Sequence, residues 1–250
     1  MNRILLAVGL VLVLSACVTE VTGTYAQKVD DEVVMQKLID LGIGYLRQGN
    51  YARAKYNLSK ALEIDSGSPL AHTTFGVVFQ LEGENSLAED HFKQALKSDP
   101  TFSQARNNYG AFLFDRGRYA EAIEQLEFAA QDRFYPKRPQ VFENMGVCYQ
   151  QMDEMEKSEQ AFIRAVELNI NQSRALLELA RIRFDQQHYV EANRLFRRHL
   201  SVSQQSAVSL WLCVQLARKF DKEDEEASCA LVLKNIFPAS AEFKEYQQSL

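Results

Sequence analysis

Apolar side chains recur along this chain three or four residues apart, and the whole pattern restarts about every 34 residues. In the first stretch Ile39, Ile43 and Leu46 fall at i, i+4 and i+7, which is one face of a helix. Gly42, Gly76, Gly110 and Gly146 are separated by 34, 34 and 36 residues, and Ala180 follows after another 34. Each repeat is counted here from the seventh residue before its small residue. Position 11 is then large and apolar, as Tyr45, Phe79, Leu113 and Tyr149, with Phe184 closing the series. Position 20 holds Ala54, Ala88, Ala122, Ser158 and Ala192, and position 24 holds Leu58, Phe92, Leu126, Phe162 and Phe196. Position 27 holds Ala61, Ala95, Ala129 and Ala165, and then His199. Large residues fill gaps and small ones let two helix backbones approach, so a helical hairpin closes only if both classes stay in register. An amphipathic bundle has no reason to keep such a period.

The repeats run over 35–68, 69–102, 103–138, 139–172 and 173–207. A degenerate sixth spans 208–241, with Trp211, Ala227 and Pro238 in phase but Gln215 where a small residue is expected. Pro69 and Pro139 stand where a first helix begins, and Pro100 stands where a second has ended. The segment 131–138, with Phe134, Tyr135 and Pro136, carries the two extra residues of the third repeat and reads as a spacer. Phe243 and Tyr246, one helical step apart, mark a capping helix at the end of the chain. Small at 8, aromatic or Leu at 11, Ala at 20 and Ala at 27 resembles the tetratricopeptide repeat. The expected fold is all-α, a right-handed tetratricopeptide repeat solenoid of about six helical hairpins over 33–241, with a capping helix over 242–250.

The N-terminus carries a second signal. Arg3 is followed by eleven apolar or small residues and then by Leu14-Ser15-Ala16-Cys17. The run is too short to cross a hydrocarbon core of about 30 Å, so residues 1–16 read as a signal peptide. The tetrapeptide resembles the bacterial lipobox, which implies lipidation of Cys17 as the first residue of the mature chain. Three acyl chains amount to permanent anchoring. Val18 stands where inner-membrane retention usually requires Asp, so the resemblance implies the periplasmic face of the outer membrane. Residues 17–32 then form a lipidated tether, of which the thirteen from Val18 to Asp30 span on the order of 20 Å.

Composition narrows the function further. The net charge is −5, and −6 without the signal peptide because Arg3 is the only charge removed. Such a chain has no bulk attraction for nucleic acid or anionic lipid. His72, His91, His188 and His199 lack Cys partners and metal-site spacing, and neither a phosphate loop nor a hydrolase motif occurs. No enzyme, cofactor, metal or small-molecule substrate is expected. Cys148 reads as a small buried hydrophobe. Cys213 and Cys229 lie on the two helices of the sixth hairpin, where a disulfide is geometrically possible, although most pairs across a hairpin miss the Cα separation it needs.

Function must then lie in a surface. In tetratricopeptide superhelices the first helix of each repeat lines the concave face, chiefly at positions 2, 5, 9 and 12. The expected groove is apolar at its N-terminal end, through Ile39, Ile43, Leu46, Val77, Ala111 and Phe114, and basic at its C-terminal end, through Arg174, Arg181 and Lys219. A chaperone-type carboxylate clamp is excluded, because Ile39 and Ile43 replace its Lys and Asn, and Gln104 and Asn108 replace its basic residues.

A lipobox ahead of six such repeats resembles the PilF family, also called PilW, the outer-membrane pilotin lipoproteins of type IV pilus assembly. The segments that carry the likeness are Ala105 to Gly110, Phe134-Tyr135-Pro136, Asn144 to Cys148, Ser209 to Leu212 and Phe237 to Ser240. Gln151-Met152-Asp153, where a hairpin Gly is usual, departs from the repeat pattern. The resemblance implies a noncatalytic factor that binds monomers of the type IV pilus secretin, escorts them to the outer membrane and promotes their multimerisation. The other reading is a lipoprotein adaptor that docks peptidoglycan hydrolases or other envelope assembly factors.

Overall fold

The structure, a computed structural model, describes residues 30–250, so Cys17 and most of the tether lie outside the described residues. Thirteen helices follow one another without a strand among the described residues. They are α1 (Asp31–Arg47), α2 (Tyr51–Ile64), α3 (Pro69–Glu82), α4 (Asn85–Ser98), α5 (Ser103–Asp115), α6 (Tyr119–Gln131) and α7 (Arg138–Gln151). Then come α8 (Met155–Leu168), α9 (Ser173–Asp185), α10 (Tyr189–Val202), α11 (Ala207–Lys219), α12 (Glu223–Ile236) and α13 (Ala241–Gln248). Each odd helix from α1 to α11 pairs with the next as a hairpin, and each also packs on the following odd helix. The odd helices therefore form an inner layer and the even ones an outer layer, which is the solenoid expected from the period. No described helix is long and apolar enough to cross a membrane.

The first four hairpins close at a glycine. A Cβ on Gly76 would lie 2.6 Å from the ring of Phe92, one on Gly110 2.8 Å from Leu126, and one on Gly146 2.6 Å from Phe162. Phe92, Leu126 and Phe162 are fully buried, and each contributes about 1.5–3 kcal/mol of apolar burial. The turns that reverse the chain place Gly49, Gly83 and Gly117 at φ of 71°, 80° and 73°. Asp153, Gln187 and Asp221 take the same left-handed position in the last three repeats, at 58°, 62° and 53°. Asp tolerates that region through its short polar side chain, which explains how the fourth and sixth repeats turn without Gly, and Gln187 adopts it in the fifth.

These turn residues correct the register at two places. In the fifth repeat the fifth-last carbonyl of the turn belongs to Arg183, which accepts the His188 N–H at 2.8 Å, as Tyr149 accepts from Glu154. Arg183 and not Phe184 therefore occupies position 11, where its guanidinium pairs with Glu159 and, at 3.2 Å, with Glu191. In the sixth repeat Asp221 follows Gln187 by 34 residues, so the repeat starts at Ala207. Val214, fully buried, then fills the crossing position in place of Gln215, and Ala227 is exposed while Ala230 and Leu233 face the core. A second correction concerns the sulfurs: Cys213 and Cys229 are joined, with Cα atoms 6.2 Å apart, inside the C-terminal core cluster. The terminal hairpin is covered by α13, where Phe243 is buried and Tyr246 packs edge-on against Trp211.

The segment between α6 and α7 is anchored at its base. Asp132 accepts from the Phe134 N–H at 3.0 Å and from the Ser103 hydroxyl at 2.7 Å, and Arg138 donates to the Ala130 carbonyl at 2.7 Å. The Ser103 hydroxyl and these backbone N–H groups hold the Asp132 carboxyl below its usual range.

A histidine pair lies inside the second hairpin. His72 Nε2 is 3.0 Å from the Ser66 carbonyl, which can only accept, so neutral His72 carries its proton there. Its Nδ1 then accepts from His91 Nδ1–H at 3.0 Å. Burial first, and the neighbouring His72 second, lower His91 from 6.5 to about 4, although Asp90 opposes them. The folded state thus binds this proton more weakly than the unfolded chain does. Stability is full above the unfolded value and falls as pH drops from about 6.5 toward 4, by on the order of 2 kcal/mol after allowance for partial exposure. Urea titrations across that window should show the slope in the wild type and a flatter one in His91→Phe. An identical slope in both would contradict the assignment.

Candidate protein-binding groove

The inner helices present their positions to the concave face in a fixed order. Position 5 is Ile39, Thr73, Asn107, Glu143 and Leu177, and all five are buried. It is the seam between one inner helix and the next, not groove wall. Ile39, 1% exposed, therefore belongs to the core with Leu58 and Phe75 and leaves the expected groove.

Position 9 forms the floor. Ile43, Val77 and Ala111 are half-buried, Val147 is buried, and Arg181 is exposed. The floor is apolar through four repeats and becomes polar at the fifth. Position 12 forms one margin, with Leu46, Gln80, Phe114 and Gln150 all half-buried. Ile43 and Leu46 rest on the first core cluster, while Phe114 bridges the central clusters.

Polar side chains tie successive inner helices together beneath and beside this floor. Gln80 donates to Asp115 at 2.8 Å, Asn144 to Asn107 at 3.2 Å, and Gln150 to Glu178 at 3.2 Å. Buried Glu143 of α7 accepts from the Ala175 N–H at 3.3 Å, capping the first turn of α9 from the neighbouring repeat. Burial pushes its carboxyl above the usual carboxylate range. Such bridges fix the pitch of the superhelix and hence the width of the groove.

The basic end is less uniform than its sequence. Arg181 pairs with Glu178 at 2.9 Å on its own helix, and Lys219 lies at the hairpin edge, 5.1 Å above the Tyr189 ring. Arg174 differs, being exposed with no ion-pair partner within 4 Å among the described residues. It joins Ala111, Phe114, Asn144 and Val147 around a recess of about 130 Å³ that reaches down to Gly110, Leu126 and Cys148. Of the expected groove residues, the structure brings Ala111, Phe114 and Arg174 together here. It keeps Ile43, Leu46 and Val77 along the floor and sets Arg181 apart. Val147 and Asn144 were not expected. The position-9 rule applied to the fourth repeat points to Val147, whereas Asn144 stands in a segment that carries the family likeness but at no groove position of the repeat. Cys148 is fully buried, and burial raises its thiol to about 12, so it is an inert packing residue. Among the described residues no group of three or more metal-ligating side chains comes together.

Tetratricopeptide repeat models match residues 81–139 and 139–171. The type IV pilus assembly protein PilF of Pseudomonas aeruginosa is 40% identical over 245 residues, 97% of this chain and 95% of that protein. The chain belongs to the PilF family. The solved structure of Pseudomonas aeruginosa PilF superimposes with a TM-score of 0.85 at 39% identity, covering 88% of this chain and 99% of that one. PilW, a type IV pilus biogenesis factor, superimposes with a TM-score of 0.72 at 26% identity, covering 86% and 98%. As a PilF-family protein of type IV pilus biogenesis, the chain is a tetratricopeptide repeat scaffold.

Proposed function

We propose that this chain is an outer-membrane lipoprotein pilotin that binds type IV pilus secretin subunits and promotes their localisation and multimerisation in the outer membrane. The likeness to PilF along nearly the whole chain carries the reading. An apolar floor of Ile43, Val77, Ala111 and Val147 supports it, because a continuous apolar stripe in a groove is suited to cover a segment of an unassembled subunit. Anchoring through Cys17 accords with the Leu14 to Cys17 lipobox, and Val18 after it with the outer membrane. The disulfide between Cys213 and Cys229 fits an oxidising compartment such as the periplasm. The physical work is localisation: a tethered groove suppresses aggregation of pore subunits and raises their effective concentration at one membrane.

Metabolic labelling with a fatty acid tests the anchor. The wild type should incorporate label and fractionate with the outer membrane. Cys17→Ser should be unlabelled and leave the secretin monomeric or misplaced. An unlabelled wild type would sink the lipoprotein half of the proposal.

A further inference from the structure

We propose that the recess between α5, α7 and α9 is an anchor pocket for one large apolar side chain of a partner segment, with a carboxylate of that segment held by Arg174. The inference rests on the reading that the groove takes a protein partner, and it names the chemistry of the part that enters.

The recess exists because of a missing side chain. Position 9 is Ile43, Val77 and Val147 in the first, second and fourth repeats, and Ala111 in the third. The shortened residue opens a hole in an otherwise filled floor, about 130 Å³ in volume, with room for one leucine- or phenylalanine-sized group. One side of it is apolar, from Phe114, Val147 and Leu126, and the other carries Asp115, Asn144 and Arg174. A hole of this kind gains burial and dispersion when a side chain fills it.

The rim supplies direction. Arg174 lines the recess and has no carboxylate within 4 Å among the described residues, although the chain is acidic overall. Asp115, the acidic side chain of the lining, is already engaged by Gln80 at 2.8 Å. Asn144 spends its amide on Asn107 at 3.2 Å, which leaves its carbonyl oxygen to accept a backbone N–H from an extended segment. An apolar hole, an acceptor and an unpaired guanidinium together select an apolar residue followed closely by an acid.

N-acetyl-leucine carries both groups and N-acetyl-leucinamide only the first, so the pair is a direct probe. Each is titrated into the purified chain while the methyl groups of Val147 and Leu126 are followed by NMR. N-acetyl-leucine should give saturable shifts at both methyls. The amide, and Arg174→Gln titrated with the acid, should bind about tenfold more weakly, the scale of one charge-assisted hydrogen bond. Ala111→Leu should abolish the shifts while helical content is kept, since position 9 already carries Ile43 in the first repeat. Equal binding of acid and amide, or shifts that survive Ala111→Leu, would overturn the proposal. Shifts at the same methyls on diluting the chain alone would mean that a second copy fills the recess, and would overturn it too. No secretin enters this experiment, so its failure leaves the pilotin reading standing, and loss of secretin binding leaves the pocket standing.

Discussion

Replacing Gly110 by leucine is expected to destabilise the array by about 3 kcal/mol and to lower its melting midpoint by roughly 6–12 °C. The reason is local. Even a single added carbon would lie 2.8 Å from Leu126 Cγ and 3.3 Å from the Ala122 carbonyl oxygen. Leu126 is fully buried and meets the new atom through its branch point, so it has no free end to swing away. The carbonyl belongs to α6 and moves only if the hairpin opens. Tyr109 and Leu113 on the same helix are buried as well, which blocks a sideways shift. Thermal melts followed by circular dichroism read the effect, and a midpoint unchanged within error would mean that α5 and α6 do not cross at this residue.

Ile39→Asp is expected to cost about 3–5 kcal/mol, because it leaves an unpaired carboxylate in the seam between α1 and α3. Ile39 is 1% exposed and packs with Leu58, Ala71 and Phe75. Ile43, one turn further along the same helix, is half-buried and opens onto the groove. The two substitutions should therefore part company, Ile39→Asp melting far below the wild type and Ile43→Asp close to it. Similar midpoints for both would reject the assignment of position 5 to the seam.

That contrast shows where the sequence is legible. The hairpin crossings could be read directly, because Gly76 against Phe92 and Gly146 against Phe162 demand a small and a large residue at fixed spacing. The inner helices follow from the same phase. What periodicity does not separate is groove from seam, since Ile39 and Ile43 are equally apolar and both lie at helical spacing. The clue was present in other repeats. Asn107 and Glu143 at position 5 carry hydrogen-bonding groups that join neighbouring helices, and Thr73 bonds back to the Pro69 carbonyl of its own helix, yet a polar residue in sequence looks exposed. The sixth repeat slipped by one residue because Val214 is not small and its turn uses Asp221 instead of Gly, so both markers of phase are missing. The pairing of Cys213 with Cys229 depends on a Cα separation that helix periodicity leaves open. The recess depends on an absence, the side chain that Ala111 lacks, which becomes visible only when the walls are in place.

The most direct test of the account is retention of purified secretin subunits on the immobilised full chain, wild type beside Ile43→Asp. The account predicts that the wild type retains secretin, and that Ile43→Asp, with its helical content intact, binds weaker by about 1–3 kcal/mol, roughly five- to 150-fold. A folded Ile43→Asp chain that still binds and assembles secretin normally would contradict it, as would a wild-type chain that retains peptidoglycan hydrolases and no secretin.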